Sequence, residues 1–212
     1  MADSEFEEGT QGAAYAERLA RLSGARWKRW LDVQAPYRWN VGRLGLGFTL
    51  DLGCGIGRNL DHLGGHGVGV DHNPGAVAAA RARGLEAYTP AEFIGSGQAR
   101  EDRFDSLLCA HVLEHMPFDE AVGFIGGHLR FVRPGGRVVL ITPQEAGFRS
   151  DATHVEYMDF ARLHELLAAH GLERERSYSF PFPRVAGRVF PHNEFVVVGR
   201  RAVPRDPLSP PA

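Results

Sequence analysis

The sequence predicts an α/β fold, a mostly parallel sheet with helices on both faces. Three observations predict it. From Leu46 onward, short apolar runs alternate with stretches of helical periodicity. The first of those runs turns through a glycine loop, Asp51-x-Gly53-x-Gly55-x-Gly57, into a helix. The second run ends on an aspartate, Asp71. A chain of 212 residues holds one such domain with small additions.

Taken in order, residues 1–12 are polar and acidic and are expected to be disordered. Residues 13–32 place Leu19, Leu22, Trp27, Trp30 and Leu31 at helical spacing. The cluster from Arg26 to Arg29 reads as the solvated face of that helix. Residues 33–45 read as a connection in which Pro36 bars helix continuation. The domain proper is expected over 46–201. Its strands are "GFTLDLG", "GVGVD", "LEAYT", "FDSLLCAHV", "RVVLITP", "LERERSYSFPF" and "EFVVVGR". Helices begin at "RNLDHL", run through "PGAVAAARARG", opened by proline and closed by glycine, and recur at "DEAVGFIGGHLRFV" and "FARLHELLAAHG". "RPGG" reads as the turn before the fifth strand. No helix separates the last two strands, so the last is expected to pair antiparallel. Residues 202–212 are too rich in proline to pack.

Composition excludes several classes. Hydrophobic residues are 43% and charged residues 24%, and the net charge of −2 gives no electrostatic case for nucleic acid or an anionic membrane. Cys54 and Cys109 make neither a disulfide framework nor a zinc spacing. No apolar run reaches membrane-spanning length, and the N-terminus is unlike a signal peptide, so a cytoplasmic location is expected. Lys28 is the only lysine among many arginines, a coding bias that points to a bacterial source.

The glycine loop departs from the dinucleotide fingerprint G-x-G-x-x-G, because the third place falls on Arg58 or Leu60 depending on register. Asp51 would also repel a pyrophosphate and attract an amine. A ligand with a positive centre and no phosphate fits better, and S-adenosylmethionine is such a ligand. Asp71, 20 residues beyond Asp51, can accept hydrogen bonds from both hydroxyls of a ribose.

Four segments, "LDLGCGIGRNL", "GVGVDHNP", "FDSLLCAHVLEHM" and "LRFVRPGGRVVLITP", resemble in order the motifs of class I S-adenosylmethionine-dependent methyltransferases. The resemblance covers roughly residues 46–145. It implies a Rossmann-like, seven-stranded, mostly parallel sheet with the last strand antiparallel, and S-adenosylmethionine as cofactor. It implies cofactor contacts from Asp51, Gly53, Cys54, Gly55, Gly57, Asn59, Asp71, His72, His111 and Val112. The family's adenine-binding aspartate aligns with Pro90, a departure; Glu92 is expected to substitute and Phe93 to cover the ring. The other reading of that pair is a helix-start glutamate and a core phenylalanine. Residues 13–45 are expected to form an N-terminal helical lid, with Tyr37, Arg38 and Trp39 as its contacts.

Within this family, ubiquinone O-methyltransferases and small-RNA 2′-O-methyltransferases ligate a divalent metal at a helix start like "LEHM". Glu114 and His115 match it, and His154 offers a further nitrogen, but the carboxylate expected at position 111 is His111. The set is incomplete, so no metal is expected; His115 then reads as a hydrogen-bonded structural histidine. His154, beside Glu156 and Tyr157 on the loop after the fifth strand, is the general-base candidate, with a loop-stabilising role as its alternative. The aromatic and arginine-rich run 177–195 reads either as the wall of a pocket for a flat acceptor or as core and turn.

The expected activity is methyl transfer to an oxygen, nitrogen or carbon of a small-molecule acceptor by a monomer or homodimer. No proline-proline-aromatic signature follows the fourth strand and no proline–cysteine pair supplies a thiol, so nucleic acid is not the expected acceptor. Two other classes compete: a non-catalytic S-adenosylmethionine-binding regulatory module, and an NAD-dependent oxidoreductase, which Asp71 suits but the glycine spacing does not.

Overall fold

The computed structural model describes residues 34–203. The expectations for residues 1–33 and for the tail beyond 203 lie outside the described residues.

A seven-stranded sheet organises the domain. Its strands are β1 (Thr49–Leu52), β2 (Gly67–Val70), β3 (Ala87–Tyr88), β4 (Phe104–Ala110), β5 (Val132–Pro143), β6 (Glu173–Phe180) and β7 (Glu194–Arg200), in the order β3-β2-β1-β4-β5-β7-β6. The first five run parallel, and β7 inserts antiparallel between β5 and β6. Seven helices accompany the sheet among the described residues: α1 (Ala35–Gly42), α2 (Arg58–His62), α3 (Pro74–Ala82), α4 (Pro90–Gly95), α5 (Phe118–Leu129), α6 (Glu145–Phe148) and α7 (Phe160–Ala169). Short 3-10 turns occupy Leu113–His115 and Arg184–Arg188.

Both faces of the sheet are covered, and strand periodicity is the reason. Leu107 and Cys109 of β4, Val138 and Leu140 of β5, and Phe195 and Val197 of β7 join Ile125 of α5 and Leu163 and Leu166 of α7 in one core. Their chain neighbours Leu108, Val139, Ile141, Val196 and Val198 join Val41 of α1 in a second. Leu60 of α2 packs with Val77 and Ala80 of α3.

Two local expectations are corrected. The segment expected to be a connection over 33–45 is helical over Ala35–Gly42, and Pro36 stands in the first turn of α1, where its missing N–H has no partner to lose. "RPGG" is not a separate turn but part of β5, where a register shift opposite Phe104–Ser106 absorbs it.

The topology concentrates chemistry at one rim. The carboxyl ends of β1, β2, β4 and β5 meet there, and because β7 runs antiparallel, pairing Glu194 with Pro143, it begins at that rim.

Candidate functional site

The glycine loop leaves β1 and enters α2 with three left-handed glycines: Gly53 at φ +70°, Gly55 at +53° and Gly57 at +80°. Their surroundings differ. A Cβ on Gly53 would strike Val112, and one on Gly57 would strike Leu85. A Cβ on Gly55 would meet nothing within 4 Å. Gly53 and Gly57 are therefore closed by packing, and Gly55 faces open space. A cleft lies there, lined by Gly53, Cys54, Gly55 and Asn59 together with Tyr37, Asn40, His111 and Glu194.

Asp51 lies behind the loop and is fully buried. Among the described residues neither of its carboxylate oxygens has a hydrogen-bond partner of ordinary geometry. Burial pushes its carboxyl up to about 8; the Asn59 side chain opposes the rise and Asp71 adds to it. Asp71 closes β2 against the loop: its Oδ2 accepts from the Gly55 N–H at 2.8 Å and its Oδ1 from the Asn73 N–H at 2.8 Å. Asn73 in turn caps α3. The exposed His72 places Nδ1 3.7 Å from Asp71.

The expected adenine contacts are corrected. Phe93 is 1% exposed and meets Phe131 edge-on with ring centres 5.2 Å apart, so it is a core residue and presents no face to a ligand. Glu92 belongs to a capping box with Thr89 and pairs with Arg81 at 2.9 Å. Those bonds, the Thr89 N–H first and Arg81 next, hold its carboxyl down at about 2. Val112 packs against Gly53 rather than lining the cleft.

His111 follows β4 in the left-handed region, φ 58°, where a non-glycine residue is strained. Its Nε2 lies 2.8 Å from Glu194 Oε1 and its Nδ1 3.4 Å from Glu114 Oε1. Half of the side chain is exposed, and that exposure is to the cleft. Burial on its other sides opposes a charged ring, but Glu114 and Glu194 outweigh it and push the pKa up to about 10. The Tyr37 hydroxyl, also raised by burial and by Glu194, donates to the His192 carbonyl at 2.7 Å. Tyr178 donates to Asn40 at 2.7 Å.

A buried amide network holds the start of β7. Gln144 Nε2 donates to the Glu194 carbonyl and to Ser179 Oγ, each at 2.8 Å, and Asn193 Nδ2 donates to Gln144 Oε1 at 3.0 Å. Arg184 forks onto Glu145 beside it.

A second cluster adjoins the cleft without lining it. One ligand atom each from Glu114, His115 and His154 lie within 4.8 Å of one another. Glu114 is 1% exposed, and neither of its carboxylate oxygens accepts a hydrogen bond within the described residues. His154 Nδ1 meets the Phe148 carbonyl at 2.8 Å, and His115 Nδ1 meets the Thr153 carbonyl at 3.3 Å. A carbonyl on Nδ1 is the arrangement that orients the other ring nitrogen toward a metal. Desolvation holds the His115 pKa below its usual value, against the pull of Glu114. The two imidazoles meet edge-on at 4.8 Å, and His154 stacks on Phe148.

Of the residues singled out in the sequence, Gly53, Cys54, Gly55, Asn59 and His111 share the cleft wall. Asp51 and Asp71 stand directly behind it, and His154 sits with Glu114 and His115. Sequence reasoning missed Glu194 and Asn40. An acidic residue opening an apolar strand was the available signal for Glu194; Asn40 was hidden by the unrecognised α1.

Residues 50–140 match a family model described as a methyltransferase domain. A ubiquinone biosynthesis O-methyltransferase from Alkalilimnicola ehrlichii is 32% identical over 101 residues, 44% of this chain and 40% of that one. The enzyme of the same name from Xylella fastidiosa strain 9a5c is 34% identical over 104 residues, 44% and 41% of the two chains. The chain thus spans about two fifths of the length of the curated relatives it matches. Among solved structures, magnesium protoporphyrin IX methyltransferase from Synechocystis PCC 6803 with bound SAH superposes with a TM-score of 0.66 at 16% identity, covering 94% of this chain and 100% of that one. A methyltransferase from Haloferax volcanii, solved with the Trm112 activator, gives 0.68 at 17% identity, covering 92% and 98%. At such identities these likenesses speak for the fold. The matched stretch runs from β1 into β5 and takes in the glycine loop, and over it the chain is similar to a methyltransferase domain.

Proposed function

We propose that the protein binds S-adenosylmethionine in the cleft beside Gly55 and transfers its methyl group to a small-molecule acceptor. The observation that carries the reading is the pairing of an open left-handed glycine with a buried carboxyl group, Asp51, that lacks a hydrogen-bond partner of ordinary geometry behind the same loop. That pairing suits an ammonium group and disfavours a phosphate. S-adenosylmethionine supplies the activated methyl group. The chain's own residues align it: Gly55 gives room, Asp51 faces the amino group, and Asp71 holds the loop. A carboxylate has about four acceptor positions, so Asp71 can take ribose hydroxyls while keeping Gly55 and Asn73.

In the same cleft, Tyr37, Asn40, His111 and Glu194 form the acceptor's wall. An acceptor oxygen is favoured because the curated relatives are named O-methyltransferases. The site is taken to operate in the cytoplasm. Calorimetry tests the reading: SAH should bind and NAD should not.

The Glu114–His115–His154 cluster favours a second element, a divalent cation held by two imidazoles and one carboxylate. A cation there would act as a Lewis acid toward an acceptor oxygen. It would give His154 a ligand's part, which its place outside the cleft lining supports better than a base's part. Activity lost on chelation and restored by Mn²⁺ or Mg²⁺ would support it.

A further inference from the structure

Asp51 is the most anomalous polar group in the described residues. It sits on the interior strand β1, it is fully buried, and among the described residues its oxygens have no hydrogen-bond partner of ordinary geometry, the Asn59 side chain being the donor beside it. The groups that face it are Asp71 from the end of β2, the Cys54 thiol from the glycine loop, the Cys109 thiol from β4 and the Asn59 amide from α2. None of them is a cation, and one is a second carboxylate. An ionised carboxylate in such surroundings is costly, whereas the acid form asks for little. Asn59 lines the cleft and is also the side chain in contact with Asp51, so a ligand group that moves the Asn59 amide meets the carboxyl next.

We propose that Asp51 is a neutral acid while the cleft is open and loses its proton when a ligand ammonium binds against it, so that cofactor binding releases one proton. The inference rests on the cofactor reading above. The balance is simple: the O–H bond of the carboxyl breaks, the electron pair stays on oxygen, the proton leaves to solvent, and the ligand keeps its ammonium charge. The new carboxylate–ammonium pair replaces the stabilisation that water denied the buried charge. The raised carboxyl pKa agrees with the geometry.

The coupling has a sign. Below the pKa of the open state, affinity should rise with pH by up to about tenfold per unit, and it should level off above it. Near pH 7 the proton released should be close to one per ligand.

The experiment is calorimetric titration of the full chain with SAH at pH 7 in two buffers of different ionisation enthalpy. It is repeated between pH 6 and pH 8. The dependence of the heat on buffer counts the protons. Infrared difference spectra of the same binding report Asp51 directly, through loss of a carboxylic-acid carbonyl band and gain of a carboxylate band. Asp51→Asn is expected to bind SAH more weakly, with no proton released and no acid band lost. If that variant does not bind, the wild-type spectrum still decides. SAH binding with no proton released and the acid band unchanged would overturn the inference and leave the cofactor reading intact. Failure of SAH to bind the wild-type protein would overturn the cofactor reading itself.

Discussion

His111 Nε2 lies 2.8 Å from Glu194 Oε1, which ties the residue after β4 to the start of β7 in the wall of the cleft. Two residues 83 positions apart in sequence thereby share one ion pair at the rim where a ligand would enter. Glu194 is nearly buried and His111 is strained, so the pair is a fixed wall and not a mobile surface contact.

Glu194→Ala should remove that wall. It leaves His111 with Glu114 alone, and the expected loss of folding stability is about 1–3 kcal/mol, smaller for Glu194→Gln, which keeps the shape. SAH affinity should change by less than about threefold if Glu194 belongs to the acceptor's wall, as proposed. Urea denaturation and calorimetry check the two halves. A large loss of SAH affinity in a folded Glu194→Gln variant would move Glu194 to the cofactor's side.

The three loop glycines should fail differently when enlarged. Gly55→Val should fold, with strain from its positive φ, and lose SAH binding because its side chain enters the cleft. Gly57→Val should lose stability first, since the new side chain drives into Leu85. Thermal denaturation beside calorimetry separates the two. Equal losses of stability would show that Gly55 is as closed as Gly57.

Asp51 should leave a mark on stability as well as on binding. Its pKa rises from 3.8 to about 8 on folding. The unfolded chain therefore loses this proton at lower pH than the folded chain, and stability falls as pH rises from about 4 to about 8, then levels off. Asp51→Asn lacks that proton, so its stability relative to wild type should improve by several kcal/mol across the same window. Urea midpoints at pH 5 and pH 8 are the measurement. A constant difference between the two proteins would mean that Asp51 is ionised at both.

The cluster of Glu114, His115 and His154 should raise the melting temperature when Mn²⁺ is added to chelated protein, because a ligand that binds only the folded state stabilises it. Glu114→Gln and His154→Ala should each abolish that rise. A shift that survives both variants would place the cation elsewhere.

Much of this was legible in the sequence, and the reasons are particular. The mostly parallel α/β sheet follows from alternating apolar and helical periods, and Gly55 and Asp71 were marked by their spacing from β1. Those signals are local. Phe93 illustrates the opposite case: a phenylalanine beside a capping-box glutamate reads the same whether it faces a ligand or a core, and only Phe104 and Phe131, distant in sequence, decide it. Glu194 is similar, since its place beside His111 depends on β7 inserting between β5 and β6. The metal cluster was discounted because position 111 breaks the motif, yet Glu114, His115 and His154 meet without it. α1 went unread because Pro36 marks a helix start as well as a helix stop, the first turn of a helix tolerating proline.

The central claim is that the cleft beside Gly55 takes S-adenosylmethionine and no dinucleotide. Calorimetric titration with SAH and with NAD, on wild-type protein and on Asp71→Ala, tests it most directly. SAH should bind the wild type, and NAD should give no heat. Asp71→Ala loses its bonds to the ribose and to the Gly55 and Asn73 N–H groups. Two charge-assisted bonds to ligand, each worth about 1.5–3 kcal/mol, correspond to a weakening of at least about 100-fold. Binding of NAD without SAH, or unchanged SAH affinity in a folded Asp71→Ala protein, would contradict the account.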